Sequence, residues 1–357
     1  MAGAVLNPFC SPPVSTSFKR NVAHQAATLN GMGADVWFDA MTHVLQMTGA
    51  DDFATYDQWG LWDGTRGAVG SRSQRRFHLD RVFEIQDECG SPRLAPTVLL
   101  NSASGSEVVA ALALTEEGLD IADGCWGTIA GTAGFWAGGA DLDALVGTLA
   151  QLPVGGWFVS VVRPTDTFPV RASAEEIAGI CRAIRGLSEF APVHVSHGDL
   201  AGLPAVAAGA ASIGTGWDAR QRVLAMSTFE YRPPAGGGGW FARNTLERLF
   251  AFLARADVAR LFAQDAVLAS SVFVGALHPD GPKEAFLHHV ASLRNLLDGI
   301  GDGPYEDRFT QLLSMYQQAV ASWPAVSSTA QLTEGAADWV EAYVAGLNVY
   351  GQDEGWI

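Results

Sequence analysis

The sequence predicts an α/β protein: a parallel barrel of the (β/α)8 type with helices added at its C-terminal end. Three observations point there. Short β-branched runs alternate with helical stretches through residues 5–217. The runs end in loops rich in glycine and ionisable side chains. Hydrophobic residues make up 48% of the 357, with 40 glycines, which suits a full core and tight turns between strands and helices. A doubly wound open parallel sheet accommodates the same alternation and is the alternative.

Residues 5–10 read as a first buried strand, ended by Ser11, Pro12 and Pro13. A helix over 19–32 stops at Gly33. Residues 35–40 form a second strand, delivering Asp39 and then His43 to its C-terminal end. A long polar loop, 49–76, carries Trp59, Trp62 and Asp63, and such loops in compact domains tend to be functional or disordered. A helix over 78–89, a strand over 97–102 and a helix over 106–119 follow. The Gly-, Ala- and Trp-rich stretch 121–139 holds a strand near 126–130, and a helix with an Asp N-terminus covers 141–152. Residues 157–163 are a buried strand, and Ser173 opens a helix over 174–187 with Glu176 as its capping-box partner.

Residues 191–222 are the most informative. Val193 and Val195 alternate with His194 and Ser196 in a strand that stops at His197, Gly198 and Asp199. A helix over 200–210 tolerates Pro204 in its first turn, and a strand over 211–217 leads to Asp218, Arg220 and Arg222. So compact a βαβ unit puts both loops on one edge of a parallel sheet, where α/β sites gather. His197, Asp199, Asp218, Arg220 and Arg222 are therefore expected to converge. The eighth strand falls at 223–231 or 267–277; 233–239 reads as a linker, and 241–263 and 284–323 as amphipathic helices. The division is a barrel core over 1–232, helical additions over 233–325 that include the last strand if it lies late, and an acidic segment over 326–357.

A formal charge of −16 argues against broad binding to a phosphate backbone. One basic cluster, Arg66, Arg72, Arg75, Arg76 and Arg81, is the candidate for nucleic-acid contact. Cys10, Cys89, Cys125 and Cys181 are far apart, without CxxC spacing, so neither zinc nor a disulfide framework is expected. No HxH or HExxH pattern supports another metal, and no cofactor is expected. The absence of a leader-like start and of a long apolar run leads to the expectation of a cytoplasmic protein with no membrane span.

The order of pieces resembles the tRNA-guanine transglycosylase-like barrels. The residues that carry the resemblance are the strand over 5–10, then Gly33, Ala34 and Asp35, then Asp39, Thr42 and His43. Further on they are His197 and Gly198, the Asp218, Arg220 and Arg222 loop, and a late helix over 284–297 with His288 and His289. The family's Thr-Asp-Ser-Gly-Gly-Phe-Gln block and its cysteine-rich zinc site are absent. The resemblance implies a divergent member acting on a nucleobase or an N-glycosidic bond.

On that reading Asp218 is the aspartate nucleophile, Asp39 a second carboxylate that divides acid and base roles with it, and His197 a general acid or base. His43, Asp199, Trp217, Trp62, Arg220 and Arg222 are the candidate substrate contacts. Indoles at strand ends can sandwich a planar base, and the two arginines either grip a phosphate or form a salt bridge with Asp218. Gly214, Thr215 and Gly216 are the candidate phosphate loop. The expected partner is a nucleobase or nucleotide-like small molecule, with a homodimer admitted by the apolar late helices. Two other readings stay open: a barrel lyase or isomerase binding a phosphorylated small molecule, and a noncatalytic barrel subunit of a complex.

Overall fold

The computed structural model describes residues 3–13, 21–47, 49–50, 54–167, 170–217, 219–230, 243–275, 281–332 and 338–357. Strand β1 (Gly3–Leu6) pairs in parallel with β2 (Asp35–Phe38), and α1 (Val22–Gly31) connects them. Leu6, Val36 and Phe38 are buried in the main core, which leaves alternate residues Trp37 and Asp39 for the opposite face. After the short α2 (Ala54–Asp57), α3 runs over Arg72–Cys89. It starts a turn and a half before the expected residue 78, because Ser71 and Gln74 form a reciprocal capping box. It ends on Gly90, whose φ of 66° is the left-handed conformation glycine adopts without strain.

The main sheet takes β3 (Leu99–Leu100), β4 (Gly127–Thr132), β5 (Trp157–Arg163), β6 (Val193–Ser196) and β7 (Ser212–Ile213) in sequence order, all parallel. Its crossovers are α4 (Glu107–Ile121), α5 (Ala133–Trp136) with α6 (Gly139–Leu149), α7 (Ala174–Ser188) and α8 (Leu203–Ala207). After α9 (Ala219–Arg222), β8 (Leu224–Ala225) joins β5 rather than β7. β6 pairs with β5 as far as Ser160 and Ser196, and β8 pairs with it at Val162 and Arg163. β6 therefore diverges from β5 at its C-terminal end, and β8 occupies the opening.

The α/β class with a parallel sheet is as expected. The six-stranded parallel sheet is consistent with the doubly wound alternative; closure into an eight-stranded barrel is not shown, for among the described residues β1 and β2 stand as a separate pair that no ladder joins to that sheet. Side chains bridge the gap. The Trp37 ring from β2 lies 4.7 Å from Trp126, 5.9 Å from Phe158 and 5.2 Å from His194. A second group, with Met41, Val44, Leu99, Ala130, Val162, Leu224 and Phe229, packs at the C-terminal ends of the strands.

The later chain departs further from expectation. Residues 241–263 are not one helix: β9 (Arg243–Leu246) and β10 (Ala251–Ala254) form an antiparallel hairpin, and α10 (Arg255–Gln264) begins after it. Leu246, Leu249, Phe250 and Leu253 fit a helical period, but a hairpin with a 3-10 connection buries the same four; short apolar runs do not separate the two. The late site for the eighth strand is instead α11 (Ala266–Val272), N-capped by Asp265, whose carboxylate accepts the Leu268 N–H at 2.9 Å. The strand lies at the earlier site, in β8. Two long helices, α12 (Pro282–Ile300) and α13 (Tyr305–Ala330), lead to α14 (Asp338–Asp353), so α13 runs through residue 326. No described helix is long and apolar enough to cross a membrane.

Helix α7 is the packing axis. Its Ser173 cap accepts the Glu176 N–H at 3.2 Å, but the Glu176 carboxylate turns to Arg163 of β5 in a buried ion pair. Arg182 bonds Asp143 at 3.0 Å and Asp353 of α14 at 2.5 Å, tying the acidic last helix to the sheet layer. Gly179 and Gly346 admit close approach: a Cβ on Gly179 would overlap the Trp136 carbonyl oxygen, and one on Gly346 would press on Ile177. Gly179→Ala is therefore expected to cost about 3 kcal/mol through overpacking against backbone that cannot yield. The denaturant midpoint checks this; an unchanged midpoint would show that α5 and α7 separate freely.

Candidate functional site

Two groups of buried polar side chains occupy the C-terminal ends of the strands. The first follows β2. Asp39 donates its N–H to the Leu6 carbonyl at 3.0 Å, and its carboxylate accepts the Met41 N–H at 2.8 Å. Burial outweighs that bond and pushes the Asp39 carboxyl up to about 6. Met41 holds a left-handed φ of 49°, which turns the chain sharply into a 3-10 segment carrying Thr42 and His43. His78 of α3 sits between the Thr42 hydroxyl at 2.7 Å and the Leu61 carbonyl at 3.0 Å. A carbonyl only accepts, so Nδ1 of His78 carries the proton and Nε2 accepts from Thr42. Its ring stacks on Trp62 at 3.8 Å and 11°, and burial pushes its pKa down to about 4.

His43 differs. It is wholly buried, and neither ring nitrogen has a hydrogen-bond partner among the described residues. Burial, with His197 in electrostatic range, pushes it down to about 3. The Ser160 hydroxyl is also buried without a partner among the described residues, while the Tyr56 hydroxyl lies against the Trp62 indole and Thr42 without a well-aligned bond. Unmatched buried polar atoms are uncommon and costly.

The second group follows β6. Ser196 Oγ lies 2.5 Å from His197 Nδ1, and burial pushes His197 down to about 4. His197 also borders a cavity of about 30 Å³ with Arg163, Val170, Gly202 and Val223, room for a water molecule. His197 and Asp199 both hold left-handed backbone, with φ of 53° and 45°. His and Asp are among the residue types that tolerate it. The Asp199 carboxylate is fully buried and heavily bonded. Oδ1 accepts the Leu200 N–H at 2.7 Å; Oδ2 takes the Thr215 hydroxyl and His289 Nε2 at 2.9 Å, with Arg222 Nε at 3.8 Å. Burial alone would raise its pKa, but His289, Arg222 and Thr215 together hold it below the usual carboxylate value. His289 Nδ1 in turn meets the Thr245 hydroxyl at 3.1 Å.

Of the residues singled out from sequence, Asp39, His43 and Trp62 fall in the first group, and His197, Asp199, Thr215 and Arg222 in the second. Asp218 and the Arg220 side chain lie outside the described residues. Trp217 is half exposed and meets Phe286 at 5.3 Å. The expected phosphate loop is internally engaged. Gly214 donates to Val195 and accepts from Asp199, Thr215 bonds Asp199, and the Gly216 carbonyl accepts from Arg222. The arginine cluster is paired as well: Arg66 with Asp57 at 3.2 Å, Arg75 with Glu117 at 2.6 Å, Arg72 with Asp120 at 3.7 Å, and Arg81 with Glu84. Arg76 reaches the Glu117 carbonyl at 3.4 Å. Tyr56, His78, Ser160 and Thr245 were not foreseen, and His289 was noticed only as part of a late helix. No local spacing ties His289 to Asp199, 90 positions away.

No protein-family model matches the chain, and no curated protein matches it either. Among the described residues no group of three or more His, Cys, Asp or Glu side chains is arranged to hold a metal ion.

These shifts set an acid response. Asp39, raised to about 6, favours the fold through its proton; that benefit is complete below its ordinary 3.8 and disappears as pH rises to about 6. His43, His78 and His197, lowered to about 3 or 4, favour the fold as neutral rings; that benefit is complete above 6.5 and disappears as pH falls through the lowered values. Between pH 4 and 6 the unfolded chain thus takes up about two more protons than the folded one at these four groups. Stability should fall by about 2.5 kcal/mol per pH unit over that window as the medium is acidified. Urea unfolding at pH 6, 5 and 4.5 measures the slope, and a flat profile would contradict the burial of these rings.

Proposed function

We propose that the chain is an enzyme that moves protons on a small, neutral heterocycle, with a free nucleobase or the base of a nucleoside as the substrate class. The curled sheet, with Trp37 reaching Phe158 and His194, is read as a (β/α)8-type barrel whose first two strands are joined to the rest by side-chain packing. The observation that carries the functional reading is Asp39. A carboxyl with a pKa near 6 beside a polar, partner-poor interior is suited to donate a proton below that pH and accept one above it. His43 supports it as an uncharged ring with one donor and one acceptor nitrogen, the complement of a lactam or amidine edge. A net charge of −16 and the internal pairing of the arginine cluster favour a small neutral substrate over a nucleic-acid strand. Asp218, following β7 in sequence, remains the proposed nucleophile, as the transglycosylase-like resemblance implies. Its carboxylate would bond the ribosyl carbon as the C–N bond to the base breaks, with the protonated Asp39 carboxyl supplying the proton to the leaving base.

One observation favours the noncatalytic reading. Met41, Val44, Met47, Val162, Leu224 and Phe229 pack together at the C-terminal ends of the strands, as they would in a barrel used as a scaffold subunit.

Saturation-transfer NMR with purines, pyrimidines and their nucleosides, from pH 5 to 8, separates the two. The acid–base reading expects a base or nucleoside to bind with an affinity that changes through pH about 6. Asp39→Asn should remove that pH dependence, and Asp39→Ala should weaken binding by about 10- to 100-fold. Failure of every base and nucleoside to bind, with the Asp39 variants indistinguishable from the parent, would defeat it in favour of the scaffold.

A further inference from the structure

We propose that Asp199 and His289 are a positioning pair: together they hold the left-handed turn after β6 and so fix the His197 imidazole at the edge of the site. The catalytic meaning of this pair rests on the proposed function, with His197 as the general acid or base that the transglycosylase-like reading gives it. Two left-handed non-glycine residues, His197 and Asp199, flank Gly198. Each such residue costs on the order of 1 kcal/mol and persists only where its surroundings over-determine it.

Here the surroundings do so, and most of the restraint falls on Asp199. Its N–H donates to the Gly214 carbonyl at 2.9 Å, and one carboxylate oxygen accepts the next N–H in the chain, that of Leu200. The other oxygen accepts from Thr215 and faces His289 and Arg222. His289 belongs to a different part of the chain. It is buried on α12, oriented at its second nitrogen by Thr245 of β9, and set against the Phe252 ring of β10 at 5.1 Å. Arg222 also lies over that ring, 5.1 Å from the Phe252 centroid. The hairpin and α12 therefore reach the sheet edge through one carboxylate. Among the described residues the His197 side chain, two residues earlier, bonds only its neighbour Ser196. The backbone turn and that one bond together set its ring direction.

The arrangement resembles a hydroxyl–imidazole–carboxylate series, but Thr245, His289 and Asp199 are all buried, so no reacting group reaches the threonine. Their effect passes through the turn to His197.

The test uses the whole chain, labelled with 15N at histidine, and long-range 1H–15N spectra that report each imidazole's tautomer and titration. In the parent protein His197 should titrate near 4. His289→Leu should leave a folded protein by circular dichroism in which the His197 midpoint rises by at least one unit, a tenfold gain in proton affinity, as the turn relaxes and the ring hydrates. His289→Gln, which keeps a donor for Asp199, should return it toward the parent value. If His289→Leu does not fold, Thr245→Val serves instead, with a smaller rise in the same direction. A folded His289→Leu or Thr245→Val protein whose His197 signals do not move would overturn the proposal, as would a His289→Gln shift equal to that of His289→Leu. No ligand enters this readout, so an empty ligand screen would defeat the acid–base reading and leave the pair to be judged by the spectra alone.

Discussion

The buried carboxylate of Asp199 is the constraint on which the C-terminal edge of the sheet depends. Taking an ionised carboxylate out of water costs several kcal/mol, and the cost is met only when both oxygens are bonded and a cation stands near. The chain meets both conditions from four places: the Leu200 N–H, Thr215 after β7, Arg222 in α9 and His289 in α12. Those segments are separated in sequence and joined in space at this atom group. Removing one partner from such a set leaves a buried charge uncompensated, typically at a cost of about 3–5 kcal/mol, against a total stability of about 5–15 kcal/mol for a folded domain.

A second buried pair works in the same way one strand over. Arg163 ends β5 and Glu176 begins α7, and their bond fixes the helix that carries Gly179 against Trp136 and Ile177 against Gly346. Asp199 and Glu176 thus anchor the loop side of the sheet and its main helix respectively. Between them the first polar group is held loosely by comparison. Asp39 has one backbone bond to its carboxylate, while His43 and Ser160 retain unmatched polar atoms among the described residues. A rigid frame around under-bonded titratable groups is the usual division of labour in a site that binds and reacts.

How much of this was legible in the sequence depended on whether the signal was local. The strand Trp157–Arg163 was read to the residue, because a continuous β-branched run bounded by Gly156 and Pro164 has no helical competitor. Helix α7 was nearly so, from its Ser173 cap and strong amphipathic period, although Glu176 left the capping box for Arg163. The strand expected over 97–102 shrank to Leu99–Leu100, since a β-rich sequence does not say how many of its residues find a partner. The hairpin of β9 and β10 was read as helix because Leu246, Leu249, Phe250 and Leu253 satisfy both periods. At the site, Asp39, His43 and His197 were visible as ionisable groups at strand ends. Their neutralising environments were not, because burial is a property of the assembled core. The bond from Asp199 to His289 was the least legible, for it depends on two distant segments meeting.

The most direct test of this account is a double-mutant cycle between Asp199 and His289, using Asp199→Asn, His289→Leu and the double variant, read by urea unfolding at pH 7. The account predicts a coupling of about 2 kcal/mol, with the double variant losing much less than the two single variants together. Additive losses, equal within about 0.5 kcal/mol, would mean that the carboxylate and the imidazole stabilise the fold independently, and that the C-terminal edge is not built around their bond.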